Sequence, residues 1–202
     1  MKSFWNTLWR WLRFNLFYLG RPPWDTGVSP PELKAFLEGT QPGRALDIGC
    51  GTGTNLATMA KAGWQVIGID FAWLSVLRAR KRLRRENLRG RVIHGDITRD
   101  PDIHPPFDLI LDIGCYHGLS PAGREQYRRN IRDWLAREGT FLMYAHRQTS
   151  PEQSHGITEA DLAAFRSFLS LTWRDDGDED RPDGGGGFLA IWVRFDRKGQ
   201  EL

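Results

Sequence analysis

The chain has 202 residues, 40% of them hydrophobic and 26% charged, with a net charge of +3. This is the size and balance of one globular domain, and it excludes disordered and collagen-like chains. The only cysteines, Cys50 and Cys115, show no CxxC spacing, so neither a disulfide framework nor a zinc site is suggested; no metal is assigned, and a reducing, cytoplasmic setting is expected.

The opening segment, MKSFWNTLWRWLRFNLFYLG, predicts an amphipathic helix over residues 1–20. Lys2, Asn6, Arg10 and Arg13 fall on one narrow stripe, and Phe4, Trp5, Leu8, Trp9, Trp11, Leu12, Leu16 and Phe17 fill the rest. Arg10 and Arg13 interrupt the apolar run and no small-residue cleavage site follows, so it reads neither as a secretory signal nor as a bilayer span. Two functional readings remain: a lid that shields a reaction from water, which is preferred, or a peripheral anchor at a membrane surface. Residues 21–43 are too rich in proline and glycine to be helical before Pro30 or Pro31, and read as a loop feeding a short helix.

From Arg44 onward, short apolar runs alternate with helical patterns: RALDI, NLATMAKAG, WQVIGID, an Arg-rich helix near 73–89, RVIHGD, FDLILDI, a helix near 121–137, and GTFLMYAH. That alternation predicts an α/β, doubly wound, mostly parallel sheet. A helix near 158–168 follows, then the strands FLSLTWR and GFLAIWVRF joined by the polar loop DDGDEDRPDGGGG, a closing antiparallel hairpin. No repeat or second core is evident, so residues 1–202 are read as one domain with its core over 44–202.

The strongest local signal is ALDIGCGTGTN at 45–55, where a strand carrying Asp47 runs through Gly49, Gly51 and Gly53 into a helix. Dinucleotide-binding proteins use a related turn, GxGxxG, to hold pyrophosphate. Here the spacing is GxGxG and an acid precedes it; that acid would repel a pyrophosphate but favour the cationic amino and sulfonium groups of S-adenosylmethionine. The next strand ends in Asp70, where a carboxylate can accept both hydroxyls of a ribose, and Asp96 follows the third. Each Asp alone reads equally as a turn or cap residue; three acids after three successive strands are harder to dismiss.

At this point the sequence resembles the class I S-adenosylmethionine-dependent methyltransferases over residues 22–196. The segments PWDTG at 23–27, ALDIGCGTGTN and FDLILDIGCYHGL resemble a bacterial group related to the thiopurine, thiol and tellurite methyltransferases. The resemblance implies a seven-stranded sheet, with Asp47, Gly49 and Gly51 at the methionine end of the cofactor, Asp70 on the ribose, Asp96 and Ile97 beside the adenine, and Phe71 packed on its face. Cys50, Thr54 and Asn55 in the same turn, and Asp112 after the fourth strand, join the cofactor-binding set. The product would be S-adenosylhomocysteine.

Ligands of open α/β sheets bind beyond the carboxyl ends of the strands, so DIGCYHGL should face the transferable methyl group. The expected catalytic residues are His117, Tyr116 and His146. A soft nucleophile needs no base, whereas a hydroxyl or ammonium nucleophile would need a proton acceptor, first His117 and then His146; equally, His117 reads as a residue that merely caps its loop. Trp24 and Asp25 are expected to line the substrate pocket, with core filler the plainer reading of Trp24. The chain lacks the polar-Pro-Pro-aromatic sequence of the family that methylates base amines or glutamine amides. The basic run 78–91 surrounds its helix without interleaved aromatics and reads as a solvated face, and nucleic acid is not an expected partner. The expectation is methyl transfer to a small, soft acceptor by a monomer or dimer. A membrane-surface methyltransferase of quinones, phenols or phospholipid headgroups is the first alternative, and a non-catalytic cofactor-binding sensor the second.

Overall fold

The computed structural model describes residues 15–99, 101–150, 152–153, 155–179 and 188–198. The amphipathic helix expected over 1–20 lies, up to residue 14, outside the described residues, as does the hairpin loop over 180–187.

Seven strands form one mixed sheet, and the chain divides into two compact units. The first comprises the described residues up to Gly43 and Gly49–Asp102. It holds α1 (Pro31–Glu38), α2 (Thr54–Lys61), β2 (Gln65–Asp70), α3 (Trp73–Arg85) and β3 (Arg91–His94). Pro31 opens α1, where its missing N–H costs no helical bond. β2 and β3 are parallel, with Ile69 opposite Ile93 and Asp70 opposite His94. α3 is shorter than its basic composition suggests because Asn87 takes a left-handed φ of 51° just beyond it. Its Ser75, Val76, Ala79 and Leu83 are buried, while Arg78, Arg80 and Arg82 between them are half-buried and donate to the carbonyls of Gly20, Val92 and Thr52.

The second unit comprises Arg44–Ile48 and the described residues from Ile103 onward. Its strands run in the order β1-β4-β5-β7-β6, from β1 (Arg44–Ile48), β4 (Phe107–Ile113), β5 (Leu135–His146), β6 (Leu169–Glu179) and β7 (Phe188–Arg197). β1, β4 and β5 are parallel neighbours, and β7 is antiparallel to both β5 and β6. The continuous apolar runs of β4 and β5 are buried, as parallel strands covered on both faces require. Ser120 caps α4 (Pro121–Trp134) by accepting from Gly123 N, and Thr158 and Asp161 form a reciprocal capping box on α5 (Glu159–Arg166).

The hairpin is as expected except in length. Asp175 and Asp176, read in the sequence as loop, belong to β6, where they pair with Trp192 and Ile191. Arg174 and Arg147 neutralise Asp176, at 2.6 and 3.0 Å, which makes an acidic strand end tolerable.

Candidate active site

The first unit contains the glycine turn. Gly49 N and Cys50 N donate to the carbonyl of Ile69 at 2.8 and 3.1 Å, which ties the turn to the end of β2. Two of its glycines are sterically required. Gly51 has a φ of +54°, and a Cβ there would meet the Tyr18 hydroxyl at 3.2 Å; Gly53 has a φ of +81°, and its Cβ would lie 3.0 Å from the Cα of Ala79 in α3.

Asp70 is buried at the end of β2. Its Oδ2 accepts from Gly51 N and its Oδ1 from Ala72 N, both at 2.8 Å. Burial pushes its carboxyl above the usual range, and the bonds from Ala72, Ser75 and Gly51 work against that shift. Of the four lone pairs of the carboxylate, Gly51, Ala72 and Ser75 do not take all, which leaves Asp70 able to accept from a ribose hydroxyl. In the first turn of α2, Thr54 Oγ1 and Asn55 Oδ1 are buried without a hydrogen-bond partner among the described residues, which is where a ligand's polar groups would be satisfied. The turn therefore fits the adenosyl cofactor that the sequence implies.

Other expected residues are distributed more unevenly. Ile97 is buried and Asp96 half-buried, with Asp96 Oδ1 accepting from both the N–H and the hydroxyl of Thr98. Phe71 is half-buried, and its carbonyl pairs with His94 Nε2 at 3.1 Å. Cys50 contributes packing: its Sγ lies 2.8 Å from where a Cβ on Gly68 would be, so its thiol is sequestered against β2 instead of facing a ligand. Asp25 accepts from the Thr52 hydroxyl at 2.9 Å, and Trp24 donates to the Tyr18 hydroxyl at 3.4 Å, so this loop is fastened to the glycine turn. Trp24 is 50% exposed, which argues against core filler. Tyr18 was missed; it is buried beside Gly51, and burial and the charge of Asp70 push its hydroxyl well above the usual tyrosine range. The one signal for it was a polar tip within the run FNLFYLG.

The second unit holds Asp47, buried in β1, and the loop after β4. Here two of the expected residues are bound by the protein's own groups. Asp112 is buried and accepts from Cys115 N at 2.7 Å, Tyr116 N at 3.0 Å and the Tyr127 hydroxyl at 2.6 Å. Its carboxylate shapes the 114–118 loop, and burial raises its pKa to about 6 against those hydrogen bonds. Tyr116 is also fully buried, and its hydroxyl donates to Asp161 at 3.0 Å and accepts from Arg128 at 2.6 Å. Through these two bonds the hydroxyl anchors the loop.

His117 lies in the short 3-10 turn Tyr116–Gly118. Its carbonyl accepts from Arg124 Nη2 at 2.9 Å and Gly156 N at 3.2 Å, and its ring stacks on His146 with centroids 4.3 Å apart. Burial, and then the nearby charges of His146, His155 and Arg124, pull its pKa down to about 3. His117 and His146 are thus the sequence-predicted pair that the fold brings together. No group of three or more metal-ligating side chains occurs among the described residues.

Comparison with known proteins agrees with this geometry. Residues 45–139 match a methyltransferase domain family. The chain is 39% identical over 140 residues to a ribosomal RNA small subunit methyltransferase C of Alcanivorax borkumensis, covering 65% of this chain and 42% of that protein. It is 30% identical over 128 residues to a probable thiol methyltransferase 2 of Arabidopsis thaliana, covering 61% and 56%. The chain therefore spans less than two thirds of the length of each. The structure of the N-methyltransferase NodS from Bradyrhizobium japonicum, in complex with S-adenosylhomocysteine, superposes with a TM-score of 0.78 at 19% identity, covering 93% of this chain and 97% of that one. Residues 45–139 are thus similar to a methyltransferase domain, and the glycine turn with the buried acid at the end of β2 fits the adenosyl cofactor that such domains use.

Proposed function

We propose that the chain transfers a methyl group from S-adenosylmethionine to a small, soft acceptor, of which a sulfur nucleophile is the leading type. When bound, the cofactor supplies a sulfonium-borne methyl group with a good leaving group already in place. Much of the remaining work is alignment, worth up to about 7–11 kcal/mol in well-oriented systems. The observation that carries the reading is the character of the loop after β4: the Tyr116 hydroxyl is consumed by Asp161 and Arg128, and His117 stays neutral down to about pH 3. Such a loop positions an acceptor well and deprotonates it poorly, which suits a nucleophile that needs no base. Asp70, Thr54 and Asn55 would hold the adenosyl end, and Asp25 and Trp24, fastened to the glycine turn, would cover it.

Release of S-adenosylhomocysteine across a panel of thiols, hydrosulfide, halides, tellurite, thiopurines, phenols, quinols, phospholipid vesicles and ribosomal RNA tests this reading. Turnover confined to thiols, chalcogen anions or halides supports it, and turnover confined to phenols, quinols or RNA refutes it. Cofactor binding with no product from any acceptor supports the non-catalytic sensor.

A second reading, activity at a membrane surface, is favoured by one observation. Leu16, Leu19 and Val28 are 63%, 69% and 65% exposed, near the half-exposed Phe17 and Trp24. No described helix is long and apolar enough to cross a membrane, and the contact proposed is a peripheral one. Co-flotation with anionic liposomes, lost on Leu16→Ser/Leu19→Ser, tests it.

A further inference from the structure

The geometry points to His117 as a fixed hydrogen-bond donor that selects acceptors arriving as anions, presenting its Nε2–H to the nucleophilic atom of a thiolate or related chalcogen anion. The inference rests on the methyl-transfer reading above and names the substrate class of that same loop.

The backbone N–H of His146 donates to His117 Nδ1 at 3.0 Å. A nitrogen that accepts from an N–H cannot itself carry a proton, so the neutral ring must hold its proton on Nε2. Among the described residues no group accepts from Nε2. The ring cannot rotate to exchange the two nitrogens without breaking the His146 bond, and the residue is held on its other side too. Its carbonyl is clamped by Arg124 and Gly156, and Asp112 grips the loop through the N–H groups of Cys115 and Tyr116. Gly114, with a φ of +86°, leaves the flank of the ring clear: a Cβ there would lie 3.4 Å from Cε1 and 4.0 Å from Nε2.

A neutral imidazole fixed in this way donates at Nε2 and cannot accept there, so it cannot take a proton from an incoming nucleophile. Its surroundings supply positive potential rather than negative. Arg124 on α4, His146 on β5 and His155 in the loop before α5 all act on it as cationic or protonatable groups, and of the carboxylates near the loop Asp161 is spent on Arg124 and Arg128 at 2.8 and 3.8 Å and Asp112 on Cys115 N, Tyr116 N and the Tyr127 hydroxyl. A donor in positive surroundings makes a charge-assisted bond to an anion that it cannot match with a neutral hydroxyl. A thiol would therefore be held as its thiolate, the reactive form. In the reaction, the sulfur lone pair forms the new bond to the methyl carbon, the bond from that carbon to the sulfonium sulfur breaks with its electron pair going to the leaving thioether, and no proton moves.

The test uses the full chain with 15N-labelled histidine, the His117 signals being assigned by their loss in His117→Asn. With S-adenosylhomocysteine bound, long-range proton–nitrogen spectra should show a protonated Nε2 and an unprotonated Nδ1 across about pH 5–8. Added hydrosulfide should shift the Nε2 signal, and phenol should not. His117→Asn keeps an acceptor for His146 N–H but not the reach of Nε2; it should bind S-adenosylhomocysteine within about twofold of the parent and raise KM for hydrosulfide about tenfold or more, the effect of one charge-assisted bond. His117→Gln, which restores a terminal N–H donor, should recover part of that loss. A proton on Nδ1, titration near the ordinary histidine pKa of about 6.5, or unaltered KM in His117→Asn would overturn the assignment. If no acceptor turns over while hydrosulfide still shifts Nε2, the donor site stands and the methyl-transfer reading falls.

Discussion

The backbone N–H of His146 donates to Nδ1 of His117, and the two imidazole rings stack with an interplanar angle of 20°. One residue thereby sets the tautomer, orientation and electrostatic environment of the other, which are the three properties that decide whether a histidine acts as base, acid or fixed donor.

The same contact makes stability depend on pH. Folded His117 has a pKa lowered to about 3, whereas the unfolded chain takes up the proton near the ordinary value of about 6.5. Between those values the unfolded state binds more protons, so stability rises with pH across that window and is lost as pH falls through it. From about pH 6.5 to 4 the parent should lose on the order of 2 kcal/mol more than His117→Asn, partial exposure having been allowed for. Urea unfolding at several pH values measures the difference, and parallel pH profiles would contradict it.

Asp70→Ala should weaken S-adenosylhomocysteine binding by about 100-fold or more, because two charge-assisted hydrogen bonds of about 1.5–3 kcal/mol each would be lost. It also strands the N–H groups of Gly51 and Ala72, so the variant should melt earlier as well. Calorimetric titration at a temperature where the variant remains folded separates the two effects; unchanged affinity there would remove Asp70 from the cofactor site.

Tyr116→Phe should cost about 1–2 kcal/mol of stability by breaking the hydroxyl's bonds to Asp161 and Arg128. Turnover per folded molecule should stay within about twofold, since the hydroxyl is buried away from any acceptor. A fall in kcat of about 100-fold, the scale of a lost acid or base, would restore Tyr116 to the chemistry.

Gly53→Ala should destabilise the first unit by about 2 kcal/mol or more, combining left-handed backbone strain with a Cβ pressed 3.0 Å from the α3 backbone at Ala79. Because α2 begins at the next residue, cofactor affinity should fall with stability. Denaturant midpoints and titration of the same preparation check both, and a variant as stable as the parent would show that α3 yields at no cost.

Much of this was legible in the residues themselves. Period and alternation place every strand of the sheet, because the stretch of a strand buried on both faces must be apolar, as LIL at 109–111 and FLMYA at 141–145 are. The glycines and acids of ALDIGCGTGTN and VIGID announce a cofactor turn, because glycine adopts the left-handed backbone angles found at Gly51 and Gly53 without the cost that a side chain adds. What local pattern could not supply was the division of labour among similar side chains. Asp70 and Asp112 both end apolar strands, yet Asp70 keeps lone pairs for a ligand while Asp112 spends its oxygens on Tyr127 and its own loop. Tyr116 and His117 are adjacent, yet one hydroxyl is drawn inward by Asp161, 45 residues away, and the other ring is held by a backbone N–H 29 residues away. The sequence by itself determined the elements, their order and the chemical family of the cofactor turn, since these follow from short-range periodicity and backbone sterics. Only the tertiary structure decided which carboxylate is free and which nitrogen carries the proton, because hydrogen-bond satisfaction and burial arise between residues that the chain separates and the fold brings together.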